Sequence, residues 1–255
     1  MIVEYHRPEK MDEALSLLAR KSPITRPLGG GTQLNAPSDE EVAVVDLQSL
    51  QLDFIKQKGK QLQLGASLTL QGLFDFKDIP AALADAIRHE ATFTLRRVAT
   101  VAGCLVSADG RSSFAATMLA LDAELIFQPN NEDTSYGEFL PLRHDMLAGR
   151  LISQVNILTQ INLAYEFVAR TPADLPIVSV ALARWPSGRT RLVVGGFGAA
   201  PHLALDGQDA SGLVEATANA LNEAGDQWAS AEYRMAAGEK LVQRALERIE
   251  VEPGV

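Results

Sequence analysis

The stretch Pro27-Leu28-Gly29-Gly30-Gly31-Thr32-Gln33-Leu34 places three consecutive glycines and a threonine between two apolar runs. Glycine costs backbone entropy, so three in a row need a physical reason. One reason is the close approach of the backbone to a ligand, often an anion that consecutive N–H groups bind. A flexible turn is the alternative, because short glycine-rich matches are weak signals. The stretch therefore predicts a simple turn or a phosphate-binding loop.

The bulk composition is that of an ordinary globular protein of one large or two smaller domains, with 255 residues. A net charge of −9 argues against nucleic-acid binding, which needs a basic face. No apolar run reaches the ~18 residues of a membrane span, and the first residues lack a secretory-signal pattern, so we expect a cytoplasmic protein. The single cysteine, Cys104, excludes an internal disulfide and a cysteine-rich metal site built by this chain alone.

Hydrophobic periodicity predicts strands and helices that fall in separate blocks. This grouping favours an α+β fold over a doubly wound sheet. The polar stretch 129–138 is interpreted as a surface turn region. The predicted strands are 2–5, 41–47, 123–127, 177–182 and 191–194, with a hairpin over 54–65 and strand-like residues over 151–167. One predicted helix begins at Pro8, and the other predicted helices cover 68–76, 79–93, 114–121, 211–224 and 228–249.

A second turn of small residues, Ala99–Cys104, follows the glycine stretch after about seventy residues. Two such turns could clamp one extended ligand from two sides. With this pair the chain resembles the FAD-binding subunits and domains of molybdenum hydroxylases, the family that includes the medium subunit of carbon monoxide dehydrogenase and the flavin domain of xanthine dehydrogenase. The matching motifs are Tyr5-His6-Arg7-Pro8, Gly29–Thr32, Gly65-Ala66 with Thr69, Arg96–Gly103, Leu119–Ala123, Ala164–Phe167 and Ser230–Arg234.

The resemblance implies a domain organisation. A PCMH-type FAD-binding region would cover residues 1–155, with subdomains at about 1–52 and 53–155 and the cofactor between them. A C-terminal domain over 156–255 would hold a three-stranded antiparallel sheet with packed helices. The resemblance also implies an electron-transfer role, in which FAD on this chain passes electrons to an external acceptor.

Partner subunits follow from the same resemblance. A large subunit would carry molybdopterin and oxidise the substrate, and a small iron–sulfur subunit would carry 2Fe–2S clusters. Purified without these partners, the chain could self-associate through an exposed apolar interface. No nucleic acid and no membrane span are expected.

In the family both loops contact the FAD pyrophosphate and flank the flavin ring. We call Leu28–Leu34 the first loop and Ala99–Cys104 the second loop. No catalytic residue and no metal ligand is predicted, because the cofactor performs the chemistry. The residues expected to bind FAD are Leu28, Gly29, Gly30, Gly31, Thr32, Gln33, Leu34, Thr100, Val101, Ala102, Gly103, Cys104, Ser113 and Tyr165.

The chain departs from the family pattern mainly after the first loop. Ala102 adds a methyl group and disfavours positive φ, and Cys104 replaces a polar side chain. Ser113 stands where the family has aspartate, and Arg111 is an added cation that could pair with a phosphate or lie solvated in a loop. Tyr165 could stack on the flavin, limit access to it, or be a structural strand tyrosine.

Three functions stay open on these residues. The chain could be a flavoprotein electron-transfer subunit, and three retained glycines in the first loop favour this. It could be a structural subunit that has lost FAD, which the altered second loop favours. It could be a stand-alone flavin oxidase or dehydrogenase, but the four histidines form no recognisable catalytic arrangement.

Overall fold

The structure, a computed structural model, describes residues 1–36 and 39–251. Its strands are β1 Ile2–His6, β2 Ile24–Leu28, β3 Val42–Asp46, β4 Ile55–Lys58, β5 Gln61–Gly65, β6 Glu124–Gln128, β7 Glu132–Ser135, β8 Leu151–Leu158, β9 Asn162–Val168, β10 Val178–Arg184, β11 Thr190–Gly195 and β12 His202–Gly207. Its α-helices are α1 Met11–Leu18, α2 Leu70–Phe74, α3 Ala81–Glu90, α4 Phe93–Arg96, α5 Val101–Ser107, α6 Ser113–Ala120, α7 Tyr136–Met146, α8 Leu213–Leu221 and α9 Ala231–Val251.

The chain divides into two compact units, each built from separate stretches of sequence. Unit 1 comprises Met1–Phe76, Phe93–Ser107 and Glu124–Ile157, and unit 2 comprises Lys77–Thr92, Ala108–Ala123 and Leu158–Val255. The α+β class is as predicted, since parallel and antiparallel sheets occur with helices in blocks. The predicted domain boundaries near residues 52 and 155 stay predictions, and the last four residues of the predicted C-terminal domain lie outside the described residues.

Unit 1 begins with a small parallel sheet in the strand order β1-β3-β2. The central strand β3 has the sequence VAVVD and is buried throughout, which explains its continuous apolar run. The helix α1 contributes buried Ala14, Leu15 and Leu18 to the same unit. Because β1 and β2 both run parallel to β3, all three strands end at the same edge of the sheet.

A second sheet of unit 1 has the strand order β4-β5-β8-β6-β7. The predicted hairpin is present, because β4 and β5 pair around Gly59, whose φ of 60° suits glycine. The predicted turn region 129–138 is wrong in part, since β7 pairs with β6 and α7 begins at Tyr136. The strand β7 is polar and at most half-buried, so it carries no apolar signal. A capping box between Ser135 and Glu138 starts the helix.

Unit 2 contains an antiparallel sheet in the order β12-β11-β10-β9. It has four strands where three were expected. The additional strand, β12, lies at the edge and is mostly half-buried, so its alternation is too weak to predict. All of β11 and nearly all of β10 is buried, which shows that both faces of the sheet are covered.

Helices cover the sheet of unit 2. The helices α8 and α9 share a core with β10 and β11, formed by residues such as Val180, Leu192, Leu221 and Leu241. The helix α6 packs against β10 and β11 and is buried along its entire length. A helix that is buried on every side belongs in a protein interior, and α6 accordingly carries no charged residue in its sequence.

Arg234 joins several segments of unit 2. Its side chain is fully buried, and its guanidinium donates hydrogen bonds to the carbonyls of Ile177, Ala224 and Gly196 and to both oxygens of Asp226. Burial opposes ionisation of Asp226, but hydrogen bonds from the Trp228 N–H and from Arg234 outweigh it and lower the pKa of Asp226. One cation therefore satisfies three carbonyls that would otherwise be short of donors.

Replacing Arg234 should make unit 2 less stable against unfolding. We expect Arg234→Met to lower the free energy of unfolding by about 3 kcal/mol, because buried carbonyls lose their donors. Arg244→Met, at an exposed position on the same helix, should change it by less than about 0.5 kcal/mol. Urea denaturation followed by circular dichroism measures both. Equal effects of the two substitutions would contradict the structural role of Arg234.

A second charged cluster of unit 2 joins Asp122 and Asp206 to Arg189 and Arg191. Arg189 donates to both carboxylates, at 2.9 Å and 2.7 Å, and Arg191 pairs with Asp122 and lies 3.4 Å from Asp206. The hydrogen bond from Arg189 lowers the pKa of Asp206, although partial burial opposes this. Arg189 also lies over the ring of Trp185, with 4.7 Å to its centroid.

This cluster predicts a pH dependence of stability. A carboxylate whose pKa is lower in the folded state stabilises the protein above its unfolded pKa of about 3.9, and the contribution is lost as the pH falls through the folded value. The free energy of unfolding should therefore fall more steeply from pH 5 to pH 3 in the natural protein than in Asp206→Asn. The free energy of unfolding is measured by urea denaturation at each pH. An equal dependence on pH in the two proteins would show that the arginines do not stabilise the Asp206 carboxylate.

Candidate functional site

The first loop lies at the carboxyl edge of the parallel sheet in unit 1. It leaves the last residue of β2, Leu28, and turns at Gly31, where φ is 70°. Hydrogen bonds from Asn35 N to Gly31 O, at 3.1 Å, and from Ala36 N to Gln33 O, at 3.2 Å, close the turn. Ligands of open parallel sheets bind outside the carboxyl ends of the strands, so this edge is the expected place for a binding loop.

Two of the three glycines bring the first loop against the second. A Cβ atom built on Gly30 would overlap the backbone oxygen of Val98, and one on Gly29 would lie 2.9 Å from Thr100 Oγ1. The sequence suggested that these glycines let a ligand approach the backbone. The structure gives them another reason, because their missing side chains let the two loops touch within unit 1.

The first loop keeps its own donors available. Within residues 1–36 and 39–251, the backbone N–H groups of Gly29 to Leu34 are not among the donors of the hydrogen bonds found. The side chains of Thr32 and Gln33 are exposed, and the three glycines and Leu34 are half-buried. A run of unpaired N–H groups at a sheet edge is suited to an anion, since it offers donors without adding an ionisable charge.

The second loop uses its donors within the protein. Val101 N donates to Leu68 O at 2.8 Å and Ala102 N to Ala66 O at 3.2 Å, so the segment that carries the Gly65-Ala66 motif fixes the start of α5. Thr100 accepts twice, from Gly103 N at its hydroxyl and from Cys104 N at its carbonyl. The backbone of this loop therefore shapes the site, and its N–H groups from Val101 to Cys104 are already satisfied.

The departures from the family pattern leave this backbone undisturbed. Ala102 lies in the helix α5 and is half-buried, so the positive φ that its methyl group would disfavour is not required. Cys104, also half-buried, follows in the same helix. Gly103 is the constrained position, because a Cβ there would lie 2.7 Å from the Thr100 hydroxyl that its own N–H contacts.

A basic pair precedes the second loop. Arg96 donates from Nε to Gln71 at 3.2 Å and lies over the Phe74 ring. Arg97 is exposed, lies over Phe93 and is the sequence neighbour of Val98. The sequence showed both arginines without a role for either. The contact between Val98 and Gly30 makes Arg97 an additional candidate for an anion site, and only the three-dimensional structure reveals it.

Ser113 and Tyr165 belong to unit 2 and contact each other. Tyr165 donates its hydroxyl to Ser113 Oγ at 2.6 Å, and both side chains are buried. Burial raises the pKa of Tyr165, so the phenol stays protonated. Its ring stacks against Phe167, with 5.8 Å between centroids. The predicted contact of Ser113 and Tyr165 with a flavin stays a prediction.

The carboxylate of Glu90, a half-buried residue, supports this pair. Glu90 accepts hydrogen bonds from Ser112 Oγ and from the Phe114 N–H, both at 2.9 Å, at the start of α6. Burial raises the pKa of Glu90, although these hydrogen bonds oppose the shift. Glu90 therefore fixes the residues on either side of Ser113, and nothing in the sequence pattern of α3 marked it.

Comparison with known proteins identifies the family. Residues 1–159 match the family described as the FAD binding domain in molybdopterin dehydrogenase. Over 241 residues the chain is 30% identical to YgfM of Escherichia coli (strain K12), covering 92% of this chain and 91% of that protein. The chain therefore belongs to the FAD-binding domain family of the molybdopterin dehydrogenases, which confirms the resemblance seen in the sequence.

Solved structures show the same fold. Quinoline 2-oxidoreductase from Pseudomonas putida 86 matches with a TM-score of 0.77 at 21% identity, covering 98% of each chain. Reconstituted CO dehydrogenase from Oligotropha carboxidovorans matches with a TM-score of 0.77 at 23% identity, covering 96% of each chain. Among the described residues, no helix is both long and apolar enough to cross a membrane, and no cluster of His, Cys, Asp and Glu could hold a metal ion.

The contact between the loops can be tested without any ligand. Gly30→Ala should lower the free energy of unfolding by about 1–3 kcal/mol, because the new methyl group forces the first loop away from the Val98 carbonyl. Gly225→Ala is the matched control, since a Cβ there meets only an ordinary contact at 3.6 Å. Urea denaturation measures both. Equal stabilities would show that the loops do not rest on each other at Gly30.

Proposed function

We propose that this chain is the FAD-binding electron-transfer subunit of a molybdenum hydroxylase-type oxidoreductase. A large subunit with molybdopterin would oxidise the substrate, and a small subunit with 2Fe–2S clusters would relay the electrons to this chain. The chain would then deliver them to an external acceptor. The contact between the first and second loops carries the proposal in a chain of this family. It sets the N–H groups of Gly29 to Leu34, which have no acceptor among the described residues, beside a segment whose N–H groups from Val101 to Cys104 are satisfied.

The residues of unit 1 fit the pyrophosphate of FAD. The N–H groups of Gly29 to Leu34 would bind its oxygens, and the exposed Thr32 hydroxyl adds a donor. Arg97 would supply a positive charge next to the second loop, in a chain whose net charge is −9. When bound, FAD supplies the electron-accepting and electron-donating chemistry. The protein residues hold and orient the cofactor, and none needs to act as a general acid or base.

Apolar exposure near the second loop supports the existence of partners. Phe93, Leu95 and Val98 have relative exposures of 56%, 47% and 44%. Exposed apolar groups of this kind often mark a protein or ligand contact. Self-association of the isolated chain remains predicted for the same reason, and the cytoplasm remains the proposed location.

A structural subunit that has lost FAD is the second candidate. One observation favours it: the N–H groups of Val101 to Cys104 all donate to acceptors in unit 1. The second loop therefore offers fewer donors to a cofactor than its resemblance to the family suggests. The two candidates differ in a single measurable property, the binding of FAD.

Titration with FAD separates them. We expect the purified chain to bind FAD near one equivalent and to show a flavin absorption spectrum after excess cofactor is removed. Thr32→Ala should weaken binding about tenfold, because a hydrogen bond to a charged group is worth about 1.5 kcal/mol. Thr171→Ala, an exposed threonine of unit 2, is the control and should bind as the natural chain does.

One outcome would count against the flavoprotein, and a second would count against the proposed position of FAD. A chain that shows no flavin under any loading condition, including with its partner subunits present, would be the structural subunit. FAD binding unaffected by both Thr32→Ala and Gly30→Ala would place the cofactor away from the first loop. Cys104→Ser should keep the flavin, since the backbone hydrogen bond from Cys104 N to Thr100 O does not depend on the thiol.

A further inference from the structure

Two arginines of unit 2 lie over one exposed tryptophan. The guanidinium carbons of Arg111 and Arg170 are 4.8 Å and 4.9 Å from the centroid of the Trp228 ring. Trp228 is 39% exposed, and Arg170 is exposed as well. Leu175, which is 38% exposed, accepts a hydrogen bond from Arg111 through its carbonyl at 2.6 Å. We call Arg111, Arg170, Leu175 and Trp228 the Trp228 patch.

The charges of this patch are not neutralised within the chain. Among residues 1–36 and 39–251, no carboxylate oxygen lies within 4.0 Å of a guanidinium nitrogen of Arg111 or Arg170. Asp109 accepts only the backbone N–H of Arg111, at 2.8 Å. The guanidinium of Arg111 instead donates to the carbonyls of Leu175 and Pro176, which accept its hydrogen bonds without neutralising its charge.

The same ring contact elsewhere in unit 2 is neutralised. Arg189 lies 4.7 Å from the centroid of Trp185, and it pairs with Asp122 and Asp206. At Trp185, the arginine over the ring is paired with carboxylates. At Trp228, two arginines lie over the ring, and neither has a carboxylate within 4.0 Å among the described residues. Two like charges near one ring repel each other, and this repulsion opposes the favourable contact of each guanidinium with the ring. An external anion would remove the repulsion.

The Trp228 patch is also held in place. Trp228 donates its backbone N–H to Asp226 at 2.7 Å, and Asp226 is bound by the buried Arg234. The two carbonyl contacts fix the side chain of Arg111. Groups that are ordered before binding lose little entropy on association. Tryptophan and arginine are also the residues most enriched where protein interfaces gain their binding energy.

We propose that the Trp228 patch docks an acidic segment of a partner protein. Carboxylates of the segment would pair with Arg111 and Arg170, and its aliphatic carbons would cover Trp228 and Leu175. A protein fits better than a free anion, because the patch offers apolar side chains beside its charges. The docking rests on residues of unit 2 alone and does not involve the first loop, which belongs to unit 1.

Tryptophan fluorescence provides the test. The chain has two tryptophans, so Trp185→Phe leaves Trp228 as the only one. We expect an octaglutamate peptide to change its emission saturably, with an apparent Kd that rises as salt is added. In the same background Arg170→Gln should weaken binding about fivefold, whereas Arg244→Gln removes an equal charge from α9 and should leave binding unchanged. Circular dichroism checks the fold of each variant.

Several results would overturn the docking surface. No saturable change up to millimolar octaglutamate, or equal weakening by the Arg170 and Arg244 substitutions, would exclude a specific site. If inorganic phosphate displaces octaglutamate at an equal concentration of negative charge, the patch would be a site for small anions. Self-association of the natural chain that Arg170→Gln abolishes, measured by sedimentation, would make a second copy the occupant. A failure of FAD binding would leave every one of these outcomes unchanged.

Discussion

The contact between the Gly30 backbone and the Val98 carbonyl is the constraint on which the binding region of unit 1 depends. A single carbon atom at residue 30 would occupy the position of that carbonyl. The first loop can therefore lie against the second only where side chains are absent. Among the described residues, the N–H groups of Gly29 to Leu34 in the first loop have no acceptor, whereas those of Val101 to Cys104 in the second loop bind Ala66, Leu68 and Thr100.

The order of unit 2 depends on two polar side chains, the buried Arg234 and the half-buried Glu90. Arg234 ties the start of α9 to three carbonyls and to Asp226, and Glu90 ties the end of α3 to the start of α6. Each of these side chains forms hydrogen bonds with backbone groups next to the end of a helix or a strand. Apolar burial supplies most of the stabilisation of such a unit, but these polar contacts decide which helix end meets which strand.

Much of the fold was readable from the sequence, and the misses have physical causes. Continuous apolar runs predicted β3, β10 and β11, and Gly59 predicted the turn of a hairpin. The strands β7 and β12 were missed because edge strands are half-exposed and show little alternation. The two loops were found by their small residues. No local sequence pattern encodes the contact between them, because it joins atoms about seventy residues apart. For the same reason the sequence does not show which of the two loops has satisfied N–H groups.

The second loop owes its form to main-chain hydrogen bonds with the segment around Ala66. A geometry of that kind does not require a particular side chain at most of its positions. Residue 102 can therefore drift from glycine to alanine while the helix begins at the same place and in the same direction. Relatives of this chain can diverge further at such positions than a signature based on adjacent glycines would tolerate. Such relatives would still be identified from the structure of the two loops after their sequences no longer match the glycine motif.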